Sequence, residues 1–355
     1  MRTVLISGAG VAGTTLAYWL AERGWQPTIV ELSGGLRSSG NPVDVRGPAV
    51  AVAERMGVMG RLHDARTQAT SLRLIDEQGQ TRARVRAPSG TEIPRADLAR
   101  ILFEAARDRT ELILGDTVTA LTPGAAGVEV TFARSAPRRF DLVVGADGLH
   151  SAVRRIAFGP ESDFVDHQGL YVATLPLGQP ARAPHEVQLL NAPGRLLSVH
   201  PGRGQELAAF IFRHPEAEAP DPVELVVSAY GEMGWRAPEL LDRLRAATDF
   251  YFDAVSRVRV PAWTRGRVTL LGDAATCVSL FGDGSTMAMA GAFTLADALG
   301  RLPIEAALRS YEARHRRLVQ PKQHAVGATS HLLVPTTRWG IGLRNAGARL
   351  LQPAA

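Results

Sequence analysis

A glycine-rich turn near the amino terminus constrains this chain more than any other feature. Residues 8–13 read Gly-Ala-Gly-Val-Ala-Gly and match the pattern Gly-x-Gly-x-x-Gly. The apolar run 3–7 before them predicts a strand, residues 14–23 after them predict a helix, and residues 27–31 predict a second strand. This order of elements indicates a parallel sheet of the Rossmann type that binds a dinucleotide.

Each glycine of the turn has its own physical reason to be there. Gly8 permits the tight turn, Gly10 lets the backbone approach a pyrophosphate, and Gly13 lets the helix pack on the strand. The N–H groups at the helix start, at Val11 and Ala12, lie at the positive end of the helix dipole and are expected to bind the phosphates. The alternative is a glycine-rich turn that binds no ligand.

A carboxylate stands at the end of the second predicted strand. Glu31 follows the turn by about 20 residues, the position where a carboxylate accepts hydrogen bonds from a ribose. Its negative charge disfavours a ribose 2′-phosphate at this place, so FAD or NAD fits better than NADP. The turn by itself does not separate FAD from NAD.

The composition is that of a globular protein. The 355 residues are 45% hydrophobic and 21% charged, enough for two domains with a sizeable core. The net charge of +5 comes almost wholly from arginines that lie among acidic residues, with Lys322 the single lysine, so we expect no nucleic-acid binding. The chain has no apolar run of about 18 residues and no room for a signal peptide before the first strand, and its single cysteine is Cys277. These features predict a cytoplasmic protein without a membrane segment.

Two later segments point to FAD. Residues 141–154 read Asp-Leu-Val-Val-Gly-Ala-Asp-Gly-Leu-His-Ser-Ala-Val-Arg and resemble the DG fingerprint of flavoprotein aromatic hydroxylases. Residues 268–275 read Val-Thr-Leu-Leu-Gly-Asp-Ala-Ala, are followed by Gly282, Gly284 and a predicted long helix, and resemble the GD motif of that family. The three motifs occur in family order, and the likeness spans nearly the whole chain, being weakest across 159–262. The sequence is therefore similar to the FAD-dependent aromatic hydroxylases, or group A flavoprotein monooxygenases, which include para-hydroxybenzoate hydroxylase and the tetracycline-inactivating monooxygenases.

The resemblance and the element pattern together predict an α/β fold. We expect a Rossmann-like FAD-binding domain of the glutathione-reductase type, a β-sheet-rich substrate domain and C-terminal helices. The residue pattern also predicts helices over 49–59 and 304–318, a β-hairpin over 71–86 and a strand over 112–121. The predicted boundaries are residues 1–70, 93–158 and 263–320 for a discontinuous FAD-binding domain, 71–92 and 159–262 for the substrate-binding domain, and 321–355 for the C-terminal helical segment.

The GD segment supplies a second set of candidate cofactor residues. Asp273 ends a buried strand, where its carboxylate can hold the ribityl hydroxyls of FAD; the alternative is a helix N-cap. The N–H groups of Gly284, Ser285 and Thr286, at the start of the next helix, are suited to polarise the flavin pyrimidine edge. Ala274 and the glycines leave space for a flat ring.

The resemblance assigns further cofactor residues. Asp147 and Gly148 of the DG segment are expected near the FAD pyrophosphate and the path of the nicotinamide cofactor; a purely structural turn is the alternative. Arg46 is expected near the isoalloxazine, and Arg95 matches a cofactor-facing Arg-x-x-Leu. Two more residues are expected to contact the cofactor, Arg37 on the adenosine side, unless it is an ordinary exposed arginine, and Val118.

The predicted strands of 159–262 supply candidate substrate residues. Strand alternation places five side chains toward the flavin, with ordinary core packing as the alternative: Tyr171, His200, Phe210, Phe212 and Tyr251. Few charges mark this sheet, which favours a bulky aromatic or polyketide-like small molecule. The histidines show no metal-binding spacing, so we expect no metal.

The resemblance also implies the reaction. NADH or NADPH would reduce the flavin, O₂ would add at C4a, and the resulting hydroperoxide would transfer one oxygen to the substrate. The protein would act in secondary metabolism, as a monomer or a homodimer. The chain departs from the family at Thr276, Val278 and Leu280, where a histidine and a proline are usual, and at Leu32, where a basic residue is usual. Two alternatives therefore stay open, a halogenase-like or other flavin oxidoreductase and a flavin-binding protein without oxygenase turnover.

Overall fold

The structure is a computed structural model that describes residues 1–35, 42–87, 90–202, 204–215, 221–277 and 283–350. The strands in these ranges are β1 (Arg2–Ser7), β2 (Trp25–Glu31), β3 (Val43–Val45), β4 (Ser71–Ile75), β5 (Thr81–Arg86), β6 (Thr91–Ile93), β7 (Glu111–Leu114), β8 (Val118–Gly124), β9 (Gly127–Phe132), β10 (Arg138–Phe140), β11 (Leu142–Gly145), β12 (Val165–Pro176), β13 (Glu186–Ala192), β14 (Arg195–Pro201), β15 (Glu206–Arg213), β16 (Tyr251–Val258), β17 (Thr264–Arg265) and β18 (Val268–Leu270). The helices are α1 (Val11–Ala21), α2 (Pro48–Arg55), α3 (Met59–Ala65), α4 (Arg95–Ala106), α5 (Ala152–Ala157), α6 (Pro222–Tyr230), α7 (Ala237–Ala246), α8 (Asp273–Thr276), α9 (Asp283–Arg301), α10 (Ile304–Leu333) and α11 (Arg338–Leu350).

A six-stranded sheet carries the glycine turn. Its order is β17-β18-β11-β1-β2-β7, and every pairing is parallel except that of β17 with β18. Val4, Leu5 and Ile6 of β1 are fully buried, which is expected of a parallel strand covered on both faces. The sequence prediction of a Rossmann-type sheet opening on β1, α1 and β2 is confirmed.

A seven-stranded sheet faces the end of the first. Its order is β16-β12-β15-β14-β13-β4-β5. The predicted hairpin is β4–β5, and its strand β4 pairs in parallel with β13, which lies far along the chain. Helices α6 and α7 pack on one face of this sheet with a core of their own. The other face buries a smaller cluster that includes Val334, just beyond α10.

Three predicted elements differ in the structure. The helix predicted over 49–59 is two helices, α2 and α3, because Gly57 takes a φ of +70° between them. The strand predicted over 112–121 is interrupted between β7 and β8. The helix predicted over 304–318 continues through Pro321 to Leu333, and Arg213 of β15 holds its far end by donating to the carbonyls of Ser330 and Val334.

Among the described residues, no helix combines the length and the apolar character that crossing a bilayer requires. The same residues contain no group of three or more His, Cys, Asp or Glu side chains arranged to hold a metal ion.

Candidate cofactor and substrate cleft

A cleft of about 910 Å³ opens where the parallel strands β1, β2 and β11 end, and it extends to the seven-stranded sheet. This is the edge of an open α/β sheet where ligands bind, and the volume is within the range of about 300–1,000 Å³ found for ligand pockets. Fourteen of the predicted site residues line it: Gly8, Gly10, Val11, Ala12, Glu31, Arg95, Val118, Asp147, Gly148, Asp273, Gly284, Ser285, His200 and Tyr251.

The three glycines of the turn meet very different surroundings. Gly8 has a φ of +103°, and a Cβ there would lie 2.5 Å from the carbonyl oxygen of Ala146. A Cβ on Gly13 would lie 2.0 Å from the carbonyl oxygen of Gly8, so helix α1 can pack this closely only with glycine. A Cβ on Gly10 would meet no atom within 4 Å. Gly8 and Gly13 therefore serve the fold, whereas the space beside Gly10 is open to a ligand.

Helix α1 begins at the cleft without a cap of its own. Gly10 is its N-cap residue, no side chain accepts from the first N–H groups, and the first turn has no acidic residue. Gly10, Val11 and Ala12 all line the cleft. The first N–H groups of a helix have no carbonyl partner within it and attract anions, so this helix end fits a pyrophosphate.

Glu31 is oriented by the turn that it faces. Its carboxylate accepts from the N–H of Ala9 at 2.9 Å and from the N–H of Ser33 at 2.9 Å. Each oxygen keeps a lone pair for another donor. The carboxylate is thus fixed at the cleft wall, where it can accept from a ribose hydroxyl.

The carboxylate of Asp147 is held by hydrogen bonds from its own neighbours. Its carboxylate accepts from the hydroxyls of Ser7, at 3.3 Å, and Ser151, and from the N–H of Val153 at 3.1 Å. Burial raises the pKa of this carboxyl, and these hydrogen bonds oppose the rise. The Asp147 side chain therefore clips the end of β1 to the start of α5, while Gly148, with a φ of +79°, turns the chain along the cleft.

Arg154 joins the DG segment to the GD segment. The side chain is fully buried and donates to the carbonyls of Ala274, at 3.1 Å, and Leu149, at 2.6 Å. It also pairs with Glu161 at 3.2 Å. Ala274 does not line the cleft, but its carbonyl fixes the position of the turn that carries Asp273.

Asp273 is the first residue of α8, and Gly272, with a φ of +64°, is the N-cap residue. No side chain caps α8, so the alternative role of Asp273 as a helix cap does not apply. Burial raises the pKa of its carboxyl, and the charge of Arg95 opposes the rise. Within the described ranges this carboxylate has no hydrogen-bond partner, although it lines the cleft. A carboxylate that faces the cleft without a partner fits a ligand that brings hydroxyl donors, such as a ribityl chain.

The start of α9 is fastened to β3. The hydroxyls of Ser285 and Thr286 both donate to the carbonyl of Asp44, at 3.0 and 3.1 Å. Arg46 pairs with Asp283 at 2.9 Å and with Asp44 at 3.5 Å, so two carboxylates hold its charge. Three predicted cofactor residues besides Ala274 do not line the cleft: Gly13, Arg46 and Thr286.

Four residues singled out in the sequence lie outside the described residues: Arg37, Val278, Leu280 and Gly282. Their neighbours Thr276 and Cys277 are buried at the end of α8.

Strand alternation decides which side chains of the seven-stranded sheet reach the cleft. Tyr171, Phe210 and Phe212 are at most 2% exposed and belong to the core under α6 and α7, on the opposite face. Their chain neighbours Val172 and Ile211 line the cleft instead. The expected substrate contacts are corrected accordingly, because a shift of one residue along a strand exchanges its two faces. Apart from Tyr251, the side chains that this sheet contributes to the lining are Val172, Leu189, Leu196, Ser198, His200, Ile211 and Val255, and we call these seven residues the apolar chamber.

Tyr251 lines the cleft beside His150 and Asp253, two hydrogen-bonded side chains that sequence reasoning missed. Its hydroxyl donates to Asp253 at 3.2 Å, and burial raises its pKa. His150 also lines the cleft, with its ring nitrogens 3.4 Å from Asp253 and 2.9 Å from Glu161. These hydrogen bonds raise the pKa of His150 to about 9, and the bond to Asp253 has the larger effect. The position of His150, two residues after the Asp-Gly pair, could have identified it as a candidate site residue. Asp253 and Glu161 are farther along the chain, and no sequence pattern connects them to His150.

Asp116 is a second missed residue, and it lines the cleft near Val118. Burial favours a higher pKa, but the N–H groups of Thr117, Arg134 and Ser135 donate to the carboxylate and hold its pKa at about 2. The Gly-Asp pair after β7 was the signal for a fixed turn here.

The fold and the cleft define a dinucleotide-binding protein whose nucleotide site runs into a chamber on a second sheet. Residues 1–321 match the family described as the FAD binding domain, and the chain belongs to that family. An uncharacterized protein of Mycobacterium tuberculosis H37Rv is 36% identical over 316 residues, covering 84% of this chain and 85% of that protein. A flavin-dependent monooxygenase of Legionella longbeachae is 31% identical, covering 83% of this chain and 80% of that protein.

Structural comparison agrees with the sequence matches. The crystal structure of the tetracycline destructase Tet(51) superposes with a TM-score of 0.86 at 29% identity, over 99% of this chain and 96% of that one. The protein has the predicted α/β fold with a Rossmann-like FAD-binding domain, and it is an FAD-dependent monooxygenase of the aromatic hydroxylase type.

Proposed function

We propose that this protein uses NAD(P)H to oxygenate a bulky, mostly apolar aromatic or polyketide-like molecule, as an enzyme of secondary metabolism or its modification. The observation that carries the proposal is the single cleft that joins the glycine turn to the apolar chamber. The likeness to a tetracycline destructase supports a polycyclic substrate.

The residues of the cleft fit FAD along its length. The free start of α1 at Gly10 would bind the pyrophosphate, Glu31 the adenosine ribose, and the unpartnered carboxylate of Asp273 the ribityl hydroxyls. The start of α9, at Gly284 and Ser285, would meet the pyrimidine edge. When bound and reduced, the flavin supplies oxygen transfer at its C4a position, which no side chain of the protein can perform.

The protein's own task is to bind, orient and shield. Apolar side chains of the chamber exclude water and give an aromatic substrate contact area. Helix α10 contributes Leu333 to the same lining, and the carbonyl of Leu333 accepts from Asn191 of β13 at 3.0 Å. This hydrogen bond fixes the end of α10 to the seven-stranded sheet.

The test is product analysis under ¹⁸O₂. Purified protein should release intact FAD on denaturation, oxidise NADH or NADPH faster when a suitable aromatic polyketide is added, and give a product that contains one ¹⁸O atom. Reductant consumption that no member of a substrate panel stimulates, without labelled product, would contradict oxygenation. A product that forms only with chloride would indicate halogenation.

The domain boundaries given above belong to the same proposal. Limited proteolysis of the FAD-loaded protein should cut near residue 70 or residue 159, at the proposed boundaries, before it cuts within either sheet. Cleavage first inside β11 or β14 would contradict them.

A further inference from the structure

One strand supplies the polar side chains of the apolar chamber. On β14, alternate residues Leu196, Ser198 and His200 line the cleft. The Ser198 hydroxyl and the Nε2 atom of His200 lie 3.0 Å apart, within hydrogen-bond distance. The other chamber side chains are aliphatic, so this pair is where the described part of the chamber offers a hydrogen bond to a ligand.

The pair is uncharged at neutral pH. Burial lowers the pKa of His200 to about 4, so the ring carries one N–H rather than two. No cationic side chain stands among the chamber residues defined above to hold an anion. The pair therefore suits a neutral polar group.

The position of the ring proton follows from the hydrogen bonds. The Nδ1 atom of His200 is buried and has no hydrogen-bond partner. A proton on Nδ1 would bury an unpaired donor, which costs about 1–3 kcal/mol, whereas a proton on Nε2 is donated to the Ser198 oxygen. We therefore assign the Nε2–H form, which leaves the Ser198 O–H as a donor.

We propose that the Ser198–His200 pair is the specificity determinant of the chamber and binds an uncharged oxygen of the substrate, a carbonyl or hydroxyl on an aromatic ring system. Ser198 donates the hydrogen bond, and His200 is a positioning residue that holds the serine hydroxyl. The assignment rests on the proposed function for the identity of the chamber as the substrate site.

Equilibrium dialysis of the FAD-loaded protein with 9-fluorenone and with fluorene tests the proposal. The two probes share a ring skeleton, and only fluorenone carries a carbonyl. Ser198→Ala should lower the ratio of fluorenone to fluorene affinity about tenfold, the size of one neutral hydrogen bond. Ser198→Thr, which keeps the hydroxyl, should keep the ratio within about threefold of the original.

His200 has its own pair of variants. His200→Phe should lower the same ratio several-fold, and His200→Gln, which restores a donor to Ser198, should recover most of it. Leu196→Met is the packing control, because a volume-conserving apolar exchange should change the affinity for both probes alike.

An affinity ratio that Ser198→Ala leaves unchanged would overturn the proposal, as would the failure of the unaltered protein to bind either probe. Binding is measured without turnover. A Ser198-dependent ratio without ¹⁸O incorporation would therefore retain the binding site and refute the oxygenase, and labelled product with an insensitive ratio would do the reverse.

Discussion

Replacing Gly10 by valine separates binding of the cofactor from stability of the fold. Gly10 has φ of −75° and ψ of −172°, a conformation open to any residue, and a Cβ there meets no atom within 4 Å. Valine is a poorer N-cap residue than glycine, so the free energy of unfolding of the FAD-free protein should change by no more than about 1 kcal/mol.

FAD binding should respond much more strongly. A valine side chain beside the start of α1 would keep the pyrophosphate away from the N–H groups there. Losing two charge-assisted hydrogen bonds, each worth about 1.5–3 kcal/mol, weakens binding by about 3–6 kcal/mol, or 10²- to 10⁴-fold.

The assay compares flavin absorbance after gel filtration, FAD titration of the FAD-free protein and its thermal unfolding. Gly13→Ala is the matched control, because its Cβ would lie 2.0 Å from the Gly8 carbonyl oxygen and should destabilise the fold itself. A folded Gly10→Val protein that binds FAD within threefold of the original would show that no phosphate approaches this turn.

Three further predictions concern ionisable side chains of the DG and GD segments. Asp273→Asn should weaken FAD binding about 10- to 100-fold. Because burial raises the pKa of Asp273, the free energy of unfolding of the FAD-free protein should fall as pH rises through that pKa. Calorimetry should show that the variant lacks this loss and is more stable than the original protein at pH 7. Arg154→Met should lower the free energy of unfolding by about 3–5 kcal/mol in urea titrations, since Glu161 and two carbonyls lose a buried partner, and an effect below 1 kcal/mol would contradict this role. His150 has a folded pKa of about 9 against an ordinary 6.5, so its stabilisation is complete below pH 6.5 and lost as pH rises through 9. The side chain is 62% exposed, so screening reduces this to about 1 kcal/mol, and His150→Gln should flatten the stability profile between pH 6.5 and 9.

The sequence determined the features that depend on residues close together in the chain. Gly8, Gly10 and Gly13 specify the turn and the packing of α1 through their own backbone geometry, and Glu31 follows at the end of the next strand. These contacts span about 20 residues, so the motif implies the geometry. The family resemblance extended this reading to Asp273 and the flavin.

The tertiary structure decided which groups remain free to bind a ligand. Asp147 and Asp273 both lie in segments that resemble family motifs, yet the first accepts hydrogen bonds from Ser7, Ser151 and Val153, and the second has no partner among the described residues. Ser151 and Val153 lie in the same motif as Asp147, but whether they and the distant Ser7 reach its carboxylate depends on how the chain folds, which a local pattern does not record.

The tertiary structure also chose the faces of the seven-stranded sheet. Alternation alone shows that neighbouring residues point to opposite sides. The sequence analysis assigned Tyr171 and Phe210 to the side of the cleft, whereas they lie on the face that α6 and α7 cover. Which face meets the cleft is set by where the sheet packs, through contacts such as β4 with β13 that join residues more than 100 positions apart. The physical reason is that the period-two pattern is symmetric between its two faces, and only long-range packing removes that symmetry.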